Sequence, residues 1–253
     1  MRFLRLSVAA GLCAASLSAC STTTGTPAEQ EVGSVTMRTG DAANYEYIYQ
    51  PTSGSPDRVL RLLPNAGWYY YPDTLAGVPA EFSVYLQSSQ GYLLRGTVDG
   101  GEVIIVDNGA QLTRTGTTIL PAALNTGGVT YGGTYGGIVV DGTGDMSPST
   151  ISGIVEIEVD FHDYAVSGSI SNRVLDETIA ANDITLDLTD LIDGAFEGTT
   201  TGGDLNTGGL VASAGTYTGL IVGPNGEHII GAVTITHTGV DGVVEQGGMI
   251  LSQ

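Results

Sequence analysis

Lysine is absent from this chain: its 8 basic residues are all arginine, set against 27 aspartates and glutamates, for a net charge of −19. Nucleic acids and anionic lipid surfaces are recognised by positive charge, so this balance argues against both as partners. Cysteine is nearly absent too, with only Cys13 and Cys20. That excludes a disulfide scaffold. No long apolar run follows residue 20, which excludes a spanning helix. Strong helical periodicity is missing throughout. No G-x-G-x-x-G or P-loop opens a helix, and no G-x-S-x-G sits on a strand-to-helix turn. His162, His228 and His237 lack the i,i+4 or C-x-x-C spacing of metal ligands, with His162 and His228 expected at turns. Together these absences point away from an enzyme and imply no cofactor and no resident metal.

What is present begins with MRFLRLSVAAGLCAASLSAC. Arg2 and Arg5 form a basic region, Phe3 to Leu17 is mostly apolar, and small residues precede Cys20. That order is a secretory signal, too short to span a bilayer. Its end, Leu17-Ser18-Ala19-Cys20, resembles the lipobox of bacterial lipoproteins. The resemblance implies cleavage before Cys20 and acylation there, with a palmitate-like chain, giving a membrane-lipid anchor rather than a span. Cys13 then leaves with residues 1–19, so no intrachain disulfide remains. Subtracting the charges of Arg2 and Arg5 from −19 leaves −21. Ser21 rather than Asp after the cysteine implies the bacterial outer membrane. Residues 20–34 lack apolar periodicity and read as a flexible tether.

The 253 residues suffice for one large all-β domain or two small ones. From about Thr130 onward, apolar residues recur with period two. In ISGIVEIEVDF (151–161), Ile151, Gly153, Val155, Ile157, Val159 and Phe161 share one face, and Glu156, Glu158 and Asp160 the other. His162-Asp163 turns the chain, and Tyr164, Val166, Gly168 and Ile170 are expected on the buried side of the return strand. Further strands fit around 130–140, 182–189, 194–201, 215–223, 227–238 and 243–252. Eight such strands are the number at which side chains fill a small closed barrel. The 38 glycines recur inside these runs as aromatic-x-Gly pairs such as Tyr131-x-Gly133, Phe196-x-Gly198 and Tyr217-x-Gly219. A large ring beside a gap lets neighbouring strands interdigitate. LDETIAAND (175–183) has room for one helical turn. Residues 35–122 form a less regular β-rich unit, expected as a smaller subdomain packed on the barrel or as part of one continuous sheet. LPAALNTGG (120–128) separates the two.

Four stretches of residues 123–253 taken in order resemble the barrel domain of the transferrin-binding protein B family of surface lipoproteins. They are YGGTYGG (131–137, with Tyr131 and Tyr135), VDFHDYAVSGSI (159–170, with Asp160, Phe161 and Gly168), GAFEGTT (194–200, with Phe196), and YTGLIVGPNGEHIIG (217–231, with Tyr217, Gly219, Gly223, Pro224, Glu227 and Gly231). The resemblance implies an all-β fold with an eight-stranded antiparallel barrel. It also implies a non-enzymatic, surface-exposed binding protein whose candidate partner is a protein, iron- or haem-carrying. Within it, Glu227 is expected to accept backbone N–H bonds and hold the turn that begins at Gly223-Pro224.

AGWYYYPDT (66–74) stands outside the barrel. On a strand, Trp68 and Tyr70 face one way and Tyr69 and Tyr71 the other. They either anchor a partner or fill a core. Two acidic spacings, Asp141…Asp145 and Asp187…Asp190…Asp193, lack EF-hand geometry and read as solvated loops. The alternative to a surface binding protein is a periplasm-facing structural lipoprotein or a small-molecule carrier, which would need an open apolar lumen.

Overall fold

The computed structural model describes the backbone of residues 33–38, 46–51, 58–61, 68–75, 78–87, 91–106, 109–121, 128–141, 149–206, 211–239 and 242–253, and most side chains from residue 94 onward. Cys20, residues 1–32 and Asp145 lie outside the described residues. Among those described there are only strands and their connections.

Three sheets form. Strands β1 (Gly33–Arg38), β2 (Glu46–Pro51) and β3 (Arg58–Arg61) make the first, so β1 begins inside the stretch expected to be tether. The second, in order, is β4 (Trp68–Leu75), β5 (Val78–Gln87), β6 (Gly91–Val98), β7 (Gly101–Val106) and β8 (Gly109–Arg114). The third holds β9 (Val129–Asp141), β10 (Ser149–Asp160), β11 (Ala165–Leu175), β12 (Ile179–Ala180), β13 (Ile184–Asp190), β14 (Ala195–Gly202), β15 (Val211–Val222), β16 (His228–Thr238) and β17 (Val243–Ser252). Pairing of β10 with both β9 and β11 closes it into an eight-stranded antiparallel barrel, with β12 hanging on β11. LDETIAAND therefore carries a turn and the short β12, not a helical turn. Its Asp176 and Glu177 adopt left-handed backbone (φ 47° and 61°), which a helix does not use.

The barrel interior is one hydrophobic core, including Tyr131, Tyr135, Val155, Ile157, Phe196, Tyr217, Val233, Met249 and Leu251. Its rings occupy the gaps left by glycines on the next strand. Phe196 is the register partner of Gly219, and Tyr217 of Gly198. A Cβ on Gly219 would lie 2.0 Å from Phe196 Cζ, and one on Gly198 2.6 Å from Tyr217 Cε1. The gap that receives a ring thus belongs to the neighbouring strand rather than to the ring's own.

A second core lies outside the barrel wall. Leu94, Val98, Val103, Ile105 and Leu112 of the second sheet pack with Ile138, Leu220, Val222, Ile230, Ala232 and Ile250, which point outward from the barrel. Burying a Leu, Ile or Val side chain stabilises by about 1.5–3 kcal/mol, so this contact is substantial. It also explains a departure from the expected pattern. β10, facing water, alternates buried and exposed residues along Val155 to Val159, whereas β16 and β17 are buried on both faces over most of their length. Strands covered twice read as continuous apolar runs. Arg114 fastens the sheet further, donating from Nε (3.1 Å) and Nη2 (2.9 Å) to the Ile221 carbonyl.

Tyr164 departs from expectation as well. It lies in the β10–β11 turn with φ 53° and is 59% exposed, because the left-handed backbone turns it out of the alternation. The uncovered outer face carries the exposed carboxylates Glu156, Glu158 and Glu197. An apolar inside and a charged outside are the reverse of a membrane-spanning barrel.

Candidate functional site

One polar cluster interrupts the apolar interior of the barrel. Val243, Glu245, Gly247, Met249 and Leu251 follow period two along β17, so Glu245 points into the lumen with side chain fully buried. Tyr135 donates its hydroxyl to Glu245 Oε1 at 2.7 Å. Arg173 donates Nη2 to Oε2 at 2.5 Å, and His237 Nε2 lies 3.3 Å from the same oxygen. Arg173 also donates Nη1 to the Asn182 carbonyl. Four wall strands, β9, β11, β16 and β17, thereby meet at one carboxylate.

Arg173 reaches this position through a bulge. On β11, Val166 and Ile170 face inward, which by parity would send residue 172 in and 173 out. Instead Asn172 is left-handed (φ 51°), and the register to β10 shifts between Ser152 and Ile154. Bulges re-aim side chains in this way. Gly153 leaves the space: a Cβ there would come 3.2 Å from Arg173 Cγ.

A carboxylate removed from water is costly unless charge and hydrogen bonds compensate it. Burial pushes the Glu245 carboxyl up, but the His237 bond, the Arg173 charge, and the bonds from Tyr135 and Arg173 outweigh it. The carboxyl is held below its usual range. Burial, with the Glu245 charge adding, raises the Tyr135 phenol well above its ordinary value, so it remains a donor. No nucleophile accompanies the cluster, and no group of three metal-ligating side chains occurs among the described residues. The arrangement is a lock that ties four wall strands together across the lumen.

Parity alone places a glutamate on the buried face of β17, and Arg173 is the only cation other than histidine in residues 115–253. That pairing was the available signal for Glu245, Arg173 and His237, which motif spacing misses. His237 belongs to the lumenal cluster. His228, expected at a turn, is instead the buried first residue of β16.

The other expected positions gather elsewhere. Gly223, Pro224 and Glu227 form the β15–β16 turn, in which Asn225 donates N (2.9 Å) and Nδ2 (2.5 Å) to the Glu227 carboxylate. Tyr131 donates its hydroxyl to the Gly226 carbonyl of that turn at 2.7 Å. Gly223 (φ 88°) abuts the β6–β7 turn so closely that a Cβ on Gly100 would lie 2.5 Å from Gly223 N. Asp160 Oδ1 accepts from the N–H groups of His162 (2.8 Å) and Asp163 (3.1 Å), and Phe161 is buried beside them. Gly168 and Gly231 lie where a Cβ would meet Glu156 O (2.4 Å) and Met249 Cε (2.5 Å). Tyr217 donates its hydroxyl to the Asp187 carbonyl, and burial, with the Asp187 charge, pushes its phenol up to about 12. Trp68, Tyr69, Tyr70 and Tyr71 lie on β4, an edge strand of the second sheet paired with β5, and their side chains lie outside the described residues.

These groups give stability a pH dependence with a definite sign. Burial lowers the His228 pKa against the opposing charges of Glu227 and Asp99. The unfolded chain then binds a proton that the folded chain resists, and stability falls as pH drops below about 6.5, the ordinary imidazole value. Glu245 contributes stability that is present above about 4.3 and lost as pH falls through its lower folded value. Urea midpoints measured as a function of pH should fall in two steps, the first absent in His228→Gln and the second reduced in Glu245→Gln, because the Asp160 and Glu227 carboxyls are also held below their usual range by hydrogen bonds.

No protein-family profile matches the chain, and no curated protein matches it. Among solved structures, Transferrin Binding Protein B from Haemophilus parasuis is similar at 12% identity and TM-score 0.45, over 87% of this chain and 52% of that one. The isotype 1 protein of that name from serogroup B Neisseria meningitidis is similar at 16% identity and TM-score 0.40, over 86% and 51%. A protein of unknown function of the DUF3598 family from Nostoc punctiforme is similar at 13% identity and TM-score 0.31, over 87% of both chains. This chain spans about half the length of the two transferrin-binding structures, and the likeness is one of fold alone.

Proposed function

We propose that this chain is a non-enzymatic binding lipoprotein of the bacterial outer membrane, acylated at Cys20, that engages a protein partner through its outer surface. The observation that carries this reading is the occupied lumen. Rings of Tyr131, Tyr135, Phe196 and Tyr217 fill the barrel, and the Glu245 cluster ties its walls together. A small-molecule carrier needs a lined cavity of about 300–1,000 Å³. A barrel filled by its own side chains offers recognition only on its outside, where sites for macromolecules lie. The net charge of −19 favours a basic partner. An iron- or haem-carrying protein is the partner class that the sequence resemblance suggests. Trp68, Tyr69, Tyr70 and Tyr71 are proposed anchors, since tyrosine and tryptophan dominate binding hot spots and β4 is an edge strand.

Protease treatment of intact and lysed cells, read with an antibody to the barrel, tests the display. Degradation in intact cells is the expected result, with Cys20→Ala releasing the chain from the membrane fraction. Protection until lysis would overturn surface display and shift weight to a periplasm-facing structural role.

A further inference from the structure

The barrel end that carries the β10–β11 and β13–β14 turns exposes an unusual group of side chains. Tyr164 is 59% exposed, Leu188 76%, Ile192 53% and Ile119 68%. Backbone hydrogen bonds, strand register and close packing hold them on one rim. Leu191 N donates to the Tyr164 carbonyl at 2.7 Å, and Ala165 is the register partner of Asp190. Leu120, next to Ile119, lies against the β13–β14 turn, where a Cβ on Gly194 would come 2.9 Å from its Cδ2. Asp163, Asp190 and Asp193 are exposed between these apolar groups.

We propose that this rim is a docking surface for a cationic protein segment that carries apolar side chains, a proposal that rests on the surface-binding reading above. The aspartates select positive charge, and Tyr164 with its aliphatic neighbours supplies the anchors. An anionic lipid surface is opposed by the same aspartates. A second copy of this chain is opposed by like charge, both at the rim and through the net −19. Only a basic partner satisfies both the apolar and the acidic features.

The test is a titration of the purified full chain with a synthetic peptide alternating arginine with leucine and tryptophan. Tyr164→Gly combined with Leu188→Thr and Ile192→Thr removes the anchors without changing charge. Glycine accepts the left-handed backbone at position 164, so thermal stability is retained. Binding should weaken by about tenfold or more, the scale of losing a hot-spot cluster. Neutralising Asp163, Asp190 and Asp193 to asparagine should weaken binding and flatten its salt dependence. Ile154→Thr, an exposed apolar position on the barrel wall (54%), should change nothing.

Several results would overturn the proposal: no binding by the wild type, undiminished binding by the anchor-free variant, or an equal loss in Ile154→Thr. Rim-dependent dimerisation in sedimentation, or competition by anionic vesicles, would instead assign the rim to a second copy or to lipid. The titration reads the purified chain and protease treatment reads its display on cells, so either reading can fail alone.

Discussion

Arg173→Met and Glu245→Gln will each destabilise the barrel by about 3–5 kcal/mol, and the two together will cost less than either alone. Each single change leaves an uncompensated charge in a site where both side chains are fully buried. Arg173→Met strands the carboxylate, and Glu245→Gln strands the guanidinium. The double variant removes both charges. Its carboxamide oxygen still accepts from Tyr135, and methionine fills the space of the arginine stem beside Gly153. Domain stabilities are about 5–15 kcal/mol, so each single variant loses a large fraction of the total. Denaturant midpoints at neutral pH measure the effect. A double variant as unstable as the sum of the singles would show that hydrogen-bond geometry, not charge, dominates the site.

The second large effect is expected at the interlocked pair of Phe196 and Gly219. Phe196→Ala will cost about 3–5 kcal/mol, because the ring is fully buried and packs against Tyr217 with centroids 6.1 Å apart. Gly219→Ala will cost about 1–3 kcal/mol, because its Cβ would fall 2.0 Å from Phe196 Cζ and the ring has no free volume to enter. In the Phe196→Ala background the same Gly219→Ala change should become nearly neutral, since its Cβ then enters the cavity. A double-mutant cycle measures this coupling directly. Simple addition of the two costs would mean that β14 and β15 relax apart and that the interlock is not what holds their register.

Much of the barrel was legible in the chain, and the strands show why. Val155-Glu156-Ile157-Glu158-Val159 announces a wall with one wet side, because period two sorts side chains between two faces. Aromatic-x-Gly repeats signalled interdigitation, although the ring fills the neighbouring strand's gap. β8, which holds Arg114, and β1 were not anticipated, since six-residue strands with mixed patterns carry little periodic signal. The burial of β16 and β17 on both faces was not anticipated, because what covers the outer face is a sheet drawn from a distant part of the chain.

The candidate sites divide in the same way. Glu245 went unnoticed although the parity of β17 would place it inside, whereas Arg173 faces the lumen only because left-handed Asn172 adds a residue to the ladder and reverses the alternation. Tyr164 is likewise turned outward by its backbone, not by its place in the pattern.

By itself, then, the sequence determined the all-β class, the eight-strand count and the acidic charge balance. Each of these is written in local order, as composition or period two. Only the tertiary structure decided the second core on the barrel wall, the ion pair between residues 72 positions apart and the apolar rim where two hairpin turns meet. Those depend on bulges, left-handed residues and strand closure, which bring together side chains whose separation along the chain carries no periodic trace.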